Sequence, residues 1–256
     1  YLGSFSLNHE EERTKAPRYL SGGNHTIYGT FPNAIFGIVD EGCVIENLNI
    51  NASVENNSVS SGFAILTRSN LGIVKKVNIS LQKFNLKLSS SVDYAETITI
   101  GTIAAENTGT ITDCSVIGDI NIDGNKRNPH FVFGGLVGTN AGTISSNNKN
   151  FEAKNDSNET ITNFSGKISI SKLLYTNKYG TIMLSNHIGA VCGLNYNKLQ
   201  GLRVDNAQII AQGLRIENNQ EIASGLNNVG GLVGYNTAER LVDCGSIFPT
   251  ISDNYV

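Results

Sequence analysis

"FVFGGLVGTNAGTI", residues 131–144, reads as an apolar strand broken by four glycines and closed by a turn of the form Asn-x-Gly. A phosphate-cradling loop would need Gly-x-x-x-x-Gly-Lys-Ser/Thr opening a helix, or Gly-x-Gly-x-x-Gly inside a βαβ unit. Here no lysine follows, the pattern predicts a second strand, and the stretch recurs along the chain. Its glycines therefore belong to a repeat, and the repeat decides the fold.

Aligned on the turn, six segments share one grammar: "IFGIVDEGCVIENLNI", "FAILTRSNLGIVKKVNI", "IGTIAAENTGTITDCSV", "FGGLVGTNAGTISSN", "IGAVCGLNYNKLQGLRV" and "VGGLVGYNTAERLVDCGSI". Their turn residues are Asp40, Asn70, Asn107, Asn140, Asn195 and Asn236, at intervals of 30, 37, 33, 55 and 41. Two places on stand Gly42, Gly72, Gly109, Gly142, Asn197 and Ala238. Five of these six are residue types that accept a left-handed backbone, as a sharp change of direction between strands requires. After the turn comes an apolar triplet spaced by three and two: Ile45, Leu48, Ile50; Val74, Val77, Ile79; Ile111, Cys114, Val116; Leu199, Leu202, Val204. The fourth segment loses the triplet after Ile144. No amphipathic helix keeps this spacing together with a glycine turn, and each unit is too short to bury its own apolar face, so the units must stack.

Stacked strand-turn-strand units with inward aliphatic ladders predict an all-β chain: a right-handed parallel β-helix (solenoid) of about six or seven coils with loop insertions. At about 4.8 Å per coil the rod would be roughly 30 to 35 Å long. The small residues of "GGLVG", "IGAVCG" and "VGGLVG" fall at equivalent places, where crowding between a coil and a covering loop would exclude larger side chains. Residues 1–256 read as a single domain, with 1–20 as an N-terminal cap or linker and 145–187 as a loop insertion that accounts for the 55-residue interval.

The segments resemble GLUG repeats, whose core is Gly-Leu-any-Gly, an Asn-x-Gly turn and an Ile-x-x-Cys strand. "GGLVGTNAGTI" is most similar, then "GGLVGYN" and "ENTGTITDCSV"; the first two segments depart from the Gly-Leu-any-Gly core. "LSGGNHTIYGTFPNAIFGIVDEGCVIENLNI" resembles the first coil of such β-helices. The resemblance implies a bacterial surface or adhesin-like protein, or a non-catalytic region of an immunoglobulin A1-cleaving metallopeptidase.

Composition agrees with a turn-rich β chain. There are 27 glycines and 33 asparagines against 4 prolines, and no tryptophan. A net charge of -3 argues against nucleic acid or an anionic membrane as the main partner. No run of 18 apolar residues occurs, so no helical membrane insertion is expected. The chain opens at Tyr1 without an initiator Met and reads as a processed chain or an excised fragment.

Sites of chemistry are sparse. There is no His-Glu-x-x-His, and His9, His25, His130 and His187 are scattered. "DINIDGN", Asp119 to Asn125, starts like a calcium-binding EF-hand loop, but its twelfth place is His130 and no helix flanks it. The simpler reading is a strand with Ile120 and Ile122 inward, closed by an Asp-Gly turn. Candidates for glycan-cleaving chemistry are Asp40, Glu41 and Glu46 on one coil and Asp113 on another, with Lys75 and Lys76 between them in sequence. Cys114 and Cys244 fill the middle place of the triplet and read as small core residues. Cys43 and Cys192 sit elsewhere in their repeats, and no Cys-x-x-Cys suggests a metal.

Seven Asn-x-Ser/Thr sequons occur, at Asn24, Asn51, Asn56, Asn78, Asn155, Asn158 and Asn163; the last three are the best candidates for glycosylation because they fall in the polar insertion.

The functional expectation is a non-enzymatic extracellular or cell-surface module that uses no cofactor and no metal. It would adhere to a protein or glycan surface, with binding on one face or in the 145–187 region, or hold other domains apart. The alternatives are a subunit of an extracellular filament or sheath that associates end to end, and a polysaccharide-cleaving enzyme.

Overall fold

The structure, a computed structural model, describes residues 18–92, 96–147, 162–174, 186–224, 228–237, 240–241, 245–246 and 250–252. These residues hold β-strands and no helix. Three sheets carry the fold: a long one of thirteen strands, one of six and one of four. Pairing is parallel throughout except in two short hairpins, Arg203–Glu217 with Gln220–Ser224 and Arg240–Leu241 with Gly245–Ser246.

Successive segments add their strands to each sheet in chain order, and the four-stranded sheet begins with the third segment. The four-stranded sheet runs Thr97–Gly101, His130–Gly134, Asn186–Gly189, Val229–Gly230. The six-stranded sheet runs Phe36–Val39, Thr67–Asn70, Ala104–Asn107, Val137–Asn140, Cys192–Asn195, Val233–Asn236. The long sheet takes Val44–Val59, Ile73–Leu88, then the strands that follow each later turn.

The apolar triplets set the register. Ile45, Val74, Ile111, Ile144 and Leu199 stand opposite one another on neighbouring strands, as do Ile50, Ile79, Val116, Phe164 and Val204. All ten are buried in one hydrophobic core. Removing each such side chain from water stabilises the fold by about 1.5–3 kcal/mol, and a slip of one residue would turn a whole row outward.

Phe164 corrects the reading of 145–187 as a loop. The fourth triplet resumes there, after an interruption, on the twelve-residue strand Asn163–Leu174. That strand lies in the long sheet between Ile120–Arg127 and Arg203–Glu217, with Ile168, Ile170 and Leu173 buried. Thr162 takes the place of Cys114: the Cys114 N–H donates to its Oγ1 at 3.1 Å, and the Thr162 hydroxyl donates to the Ser145 carbonyl.

The turns also differ from expectation. Gly42 is left-handed (φ 77°), but Gly72, Gly109, Gly142 and Asn197 are not. Glycine is required at 109 and 142 by stacking, since a Cβ there would overlap the carbonyl oxygen of Gly72 or Gly109 on the preceding strand. Asp40 is not equivalent to the turn asparagines. Val39 pairs with Asn70, and Val44 with Ile73, so the first turn is longer by two residues. Ala238 lies outside the described residues.

The left-handed bend lies further on, just before the middle residue of each triplet, at Asn47 (φ 52°), Lys76 (φ 51°), Asp113 (φ 53°) and Gly201 (φ 66°).

Among the described residues, the "GGLVG" glycines answer crowding from the backbone of neighbouring strands and corners. Gly101, Gly134, Gly189 and Gly230 stand in register. A Cβ on any of them would overlap the carbonyl of the residue three places on, across the corner between the four- and six-stranded sheets. Gly138 and Gly193 lie where a Cβ would come within 2.5 Å of Thr99 Cγ2 and 2.6 Å of the Phe133 carbonyl. No helix among the described residues is long and apolar enough to cross a membrane.

Candidate functional site

The turn asparagines form a ladder. Asn70 donates through Nδ2 to Oδ1 of Asn107, Asn107 to Asn140, Asn140 to Asn195 and Asn195 to Asn236, each at 2.7 Å. Each of the first four is fully enclosed and also points Nδ2 at a carbonyl two residues ahead, so one side chain closes its own turn and ties it to the next. The row begins at Asn70, whose Oδ1 is buried without a partner because Val39 faces it from the first turn. The asparagines named by the turn pattern are thus joined in one structural element.

Two of the carboxylates nominated for glycan cleavage, Glu46 and Asp113, are held by separate partners. Glu46 Oε2 pairs with Lys75 Nζ at 2.5 Å, and its Oε1 accepts from Asn47 Nδ2 at 2.9 Å and from the Tyr19 hydroxyl. Asp113, buried, accepts from the Asn147 N–H at 2.8 Å, Asn147 Nδ2 at 2.7 Å and Ser146 Oγ at 3.3 Å. It fastens the chain where it leaves for residues 148–161. Lys76 occupies the same bend position one strand earlier. Asp40 and Glu41 lie in the first turn.

Residues 120–127 form a strand with Ile120 and Ile122 buried. It is not closed by an Asp-Gly turn: the left-handed residues are Asn125 and Lys126, in a bulge. Asp123 accepts from Lys172 Nζ at 2.9 Å and from the Asn125 N–H at 2.8 Å. Partial burial raises its pKa, but the Lys172 hydrogen bond, the Asn125 N–H and the Lys172 charge together outweigh that and hold the carboxyl below its ordinary value.

Cys43, Cys114 and Cys192 are buried free thiols. Burial pushes Cys114 and Cys192 up to about 12, so neither is a thiolate at neutral pH. Cys244, Asn155, Asn158 and His9 lie outside the described residues. Asn163 stands within a strand, with its Oδ1 enclosed and unpartnered.

His187 Nδ1 lies 3.0 Å from Asn228 Nδ2, and its ring stacks on Tyr235 at 5.0 Å and 22°. Burial, with the nearby charge of His130, holds its pKa below the ordinary value.

A groove of about 430 Å³ opens between the six-stranded sheet and the edge of the four-stranded one. Arg68, Ser69 and Glu106 line one wall, Thr97 and Thr99 the other, with Gly37 and Gly62 among the small lining residues. The repeat pattern did not nominate these residues, because they lie on four different strands outside the aliphatic rows. The one signal in the sequence is Gly37, in a strand position where the crowding and left-handed arguments for glycine both fail: a Cβ there would meet nothing within 4 Å. Among the described residues no three His, Cys, Asp or Glu side chains gather as a metal site would need. No family model, curated protein or solved structure matches the chain.

Proposed function

We propose that the chain is a right-handed parallel β-helix of about six coils that serves, without catalysis, as an extracellular or cell-surface module for adhesion or for spacing other domains. The observation that carries this reading is the shared register of all three sheets. Strands from successive segments enter each sheet in chain order, and the buried aliphatic rows and the asparagine ladder follow the same order. Six strands in the second sheet support six coils, and parallel crossovers are almost always right-handed. Such a stack is a rigid rod with extended lateral faces, the property a spacer or an adhesive surface needs. Glu46 and Asp113, two of the nominated carboxylates, already have structural partners, which supports a role in shape rather than at one reacting bond.

The test is surface binding by the purified chain, measured on cells, matrix proteins and glycans, beside an assay for product release from acidic polysaccharides. Saturable binding without release supports adhesion, and absence of binding leaves the spacer role. Release that is lost in Asp40→Asn or Asp113→Asn would overturn the non-catalytic reading.

A further inference from the structure

We infer that the groove between Arg68 and Thr97 is a binding site for a neutral sugar unit of a glycan; the inference rests on the adhesive reading and gives it a ligand class.

Three observations lead there. First, Gly37 is a glycine the fold does not need. Glycine in a strand interior weakens the strand and often marks close approach by a ligand. At 37 the space beside the Cα is open, and that space is the groove. Second, the charged groups of the wall are uncommitted. Arg68 and Glu106 lie on adjacent strands, Glu106 opposite Ser69, yet neither has an ion-pair or hydrogen-bond partner among the described residues. One guanidinium and one carboxylate sum to no net charge, so the groove suits a neutral ligand rich in both donors and acceptors. A carboxylate can accept from two neighbouring hydroxyls, and a guanidinium can donate to hydroxyl or ring oxygens. Third, Ser69, Thr97 and Thr99 add three hydroxyls able to act either way. The volume falls in the range of small-ligand sites.

An added peptide strand is the competing occupant. The edge of Thr97–Gly101 is already taken at one place by Phe63, whose N–H donates to the Thr99 carbonyl at 3.0 Å and whose carbonyl accepts from the Gly101 N–H at 3.1 Å. Beyond it the Thr97 N–H and carbonyl and the Thr99 N–H have no backbone partner among the described residues. Three groups on so short an edge are too few to hold a strand, whereas they add usefully to a ring of hydroxyl contacts.

The experiment is saturation-transfer NMR on the full chain with maltotriose, cellotriose and mannotriose, and with an extended acidic peptide as comparison. The expected result is transfer to at least one trisaccharide, weakened about tenfold or more in Arg68→Ala and Glu106→Gln, as loss of a polar partner to a hydroxyl implies. Gly37→Leu should abolish it with the thermal unfolding of the chain kept, because the new side chain enters open space, and Lys83→Ala on the long sheet should change nothing. No transfer from any of the three sugars, transfer that survives Gly37→Leu, or peptide binding alone that Gly37→Leu removes would each overturn the inference. Surface adhesion retained by Gly37→Leu would sink this site and leave the adhesive reading standing. Sugar transfer in a chain that adheres to no surface would do the reverse.

Discussion

At Asn140 one amide does three things: it accepts from Asn107, donates to Asn195, and closes its own turn onto the Gly142 carbonyl. A buried polar group left without a partner costs about 1–3 kcal/mol, so Asn140→Ala, which strands groups on both neighbours, should destabilise by roughly 2–4 kcal/mol in urea unfolding. Val39→Asn should act in the opposite direction by about 1 kcal/mol, since its amide would meet the unpartnered Asn70 Oδ1. His187 gives a pH signature. Its folded pKa lies below the ordinary 6.5, so the unfolded chain binds the proton more readily. Stability is then fully present above about 6.5 and falls as the pH drops below it; His187→Gln should flatten that limb of a stability-versus-pH curve. Cys114 and Cys192 should resist alkylation in the native chain at pH 8 and react on unfolding, as peptide mapping would record.

At the scale of elements, the long strands were legible where their triplets were whole. Ile45, Leu48 and Ile50 predict their register with Val74, Val77 and Ile79 because an aliphatic row must line one face. Asn163–Leu174 was not legible, because the residues between Ile144 and Phe164 interrupt the triplet and polar residues dominate the interval. Amide exchange separates the two readings: Ile168 and Ile170 should exchange as slowly as Ile120 and Ile122, whereas a loop would exchange within minutes. The left-handed bend at Asn47, Lys76, Asp113 and Gly201 was hidden for a different reason. Four unlike side chains share a backbone conformation, and lysine does not advertise it as glycine, asparagine and aspartate do. The glycines were visible, but the reason for each was not. Gly134→Ala would drive a Cβ into the Val137 carbonyl and should cost about 3 kcal/mol, whereas Gly37→Ala enters open space and should be neutral or stabilising by up to about 1 kcal/mol. Equal losses at the two positions, read by thermal unfolding, would contradict this division.

For the whole molecule, repetition explains both what the chain reveals and what it hides. Selection for stacking writes a recurring pattern of aliphatic, asparagine and glycine residues, which is why the parallel architecture can be read from one sequence. A lateral groove is made from the positions the pattern leaves free, so Arg68, Glu106, Thr97 and Thr99 carry no period and became visible only when three strands were placed together. The account rests on in-register stacking of successive segments, and Thr112 and Ser145 test it directly. They are paired residues on neighbouring strands, and the Ser145 hydroxyl lies 3.3 Å from that of Thr112. Gln200 lies one strand beyond Ser145. Neighbouring strands are about 4.8 Å apart, within reach of a disulfide, and next-nearest strands are about twice that. The measurement is disulfide formation under mild oxidation, read by mass spectrometry of digests. Thr112→Cys with Ser145→Cys should close readily and Thr112→Cys with Gln200→Cys should not. Closure of the second pair in preference to the first would contradict the stack.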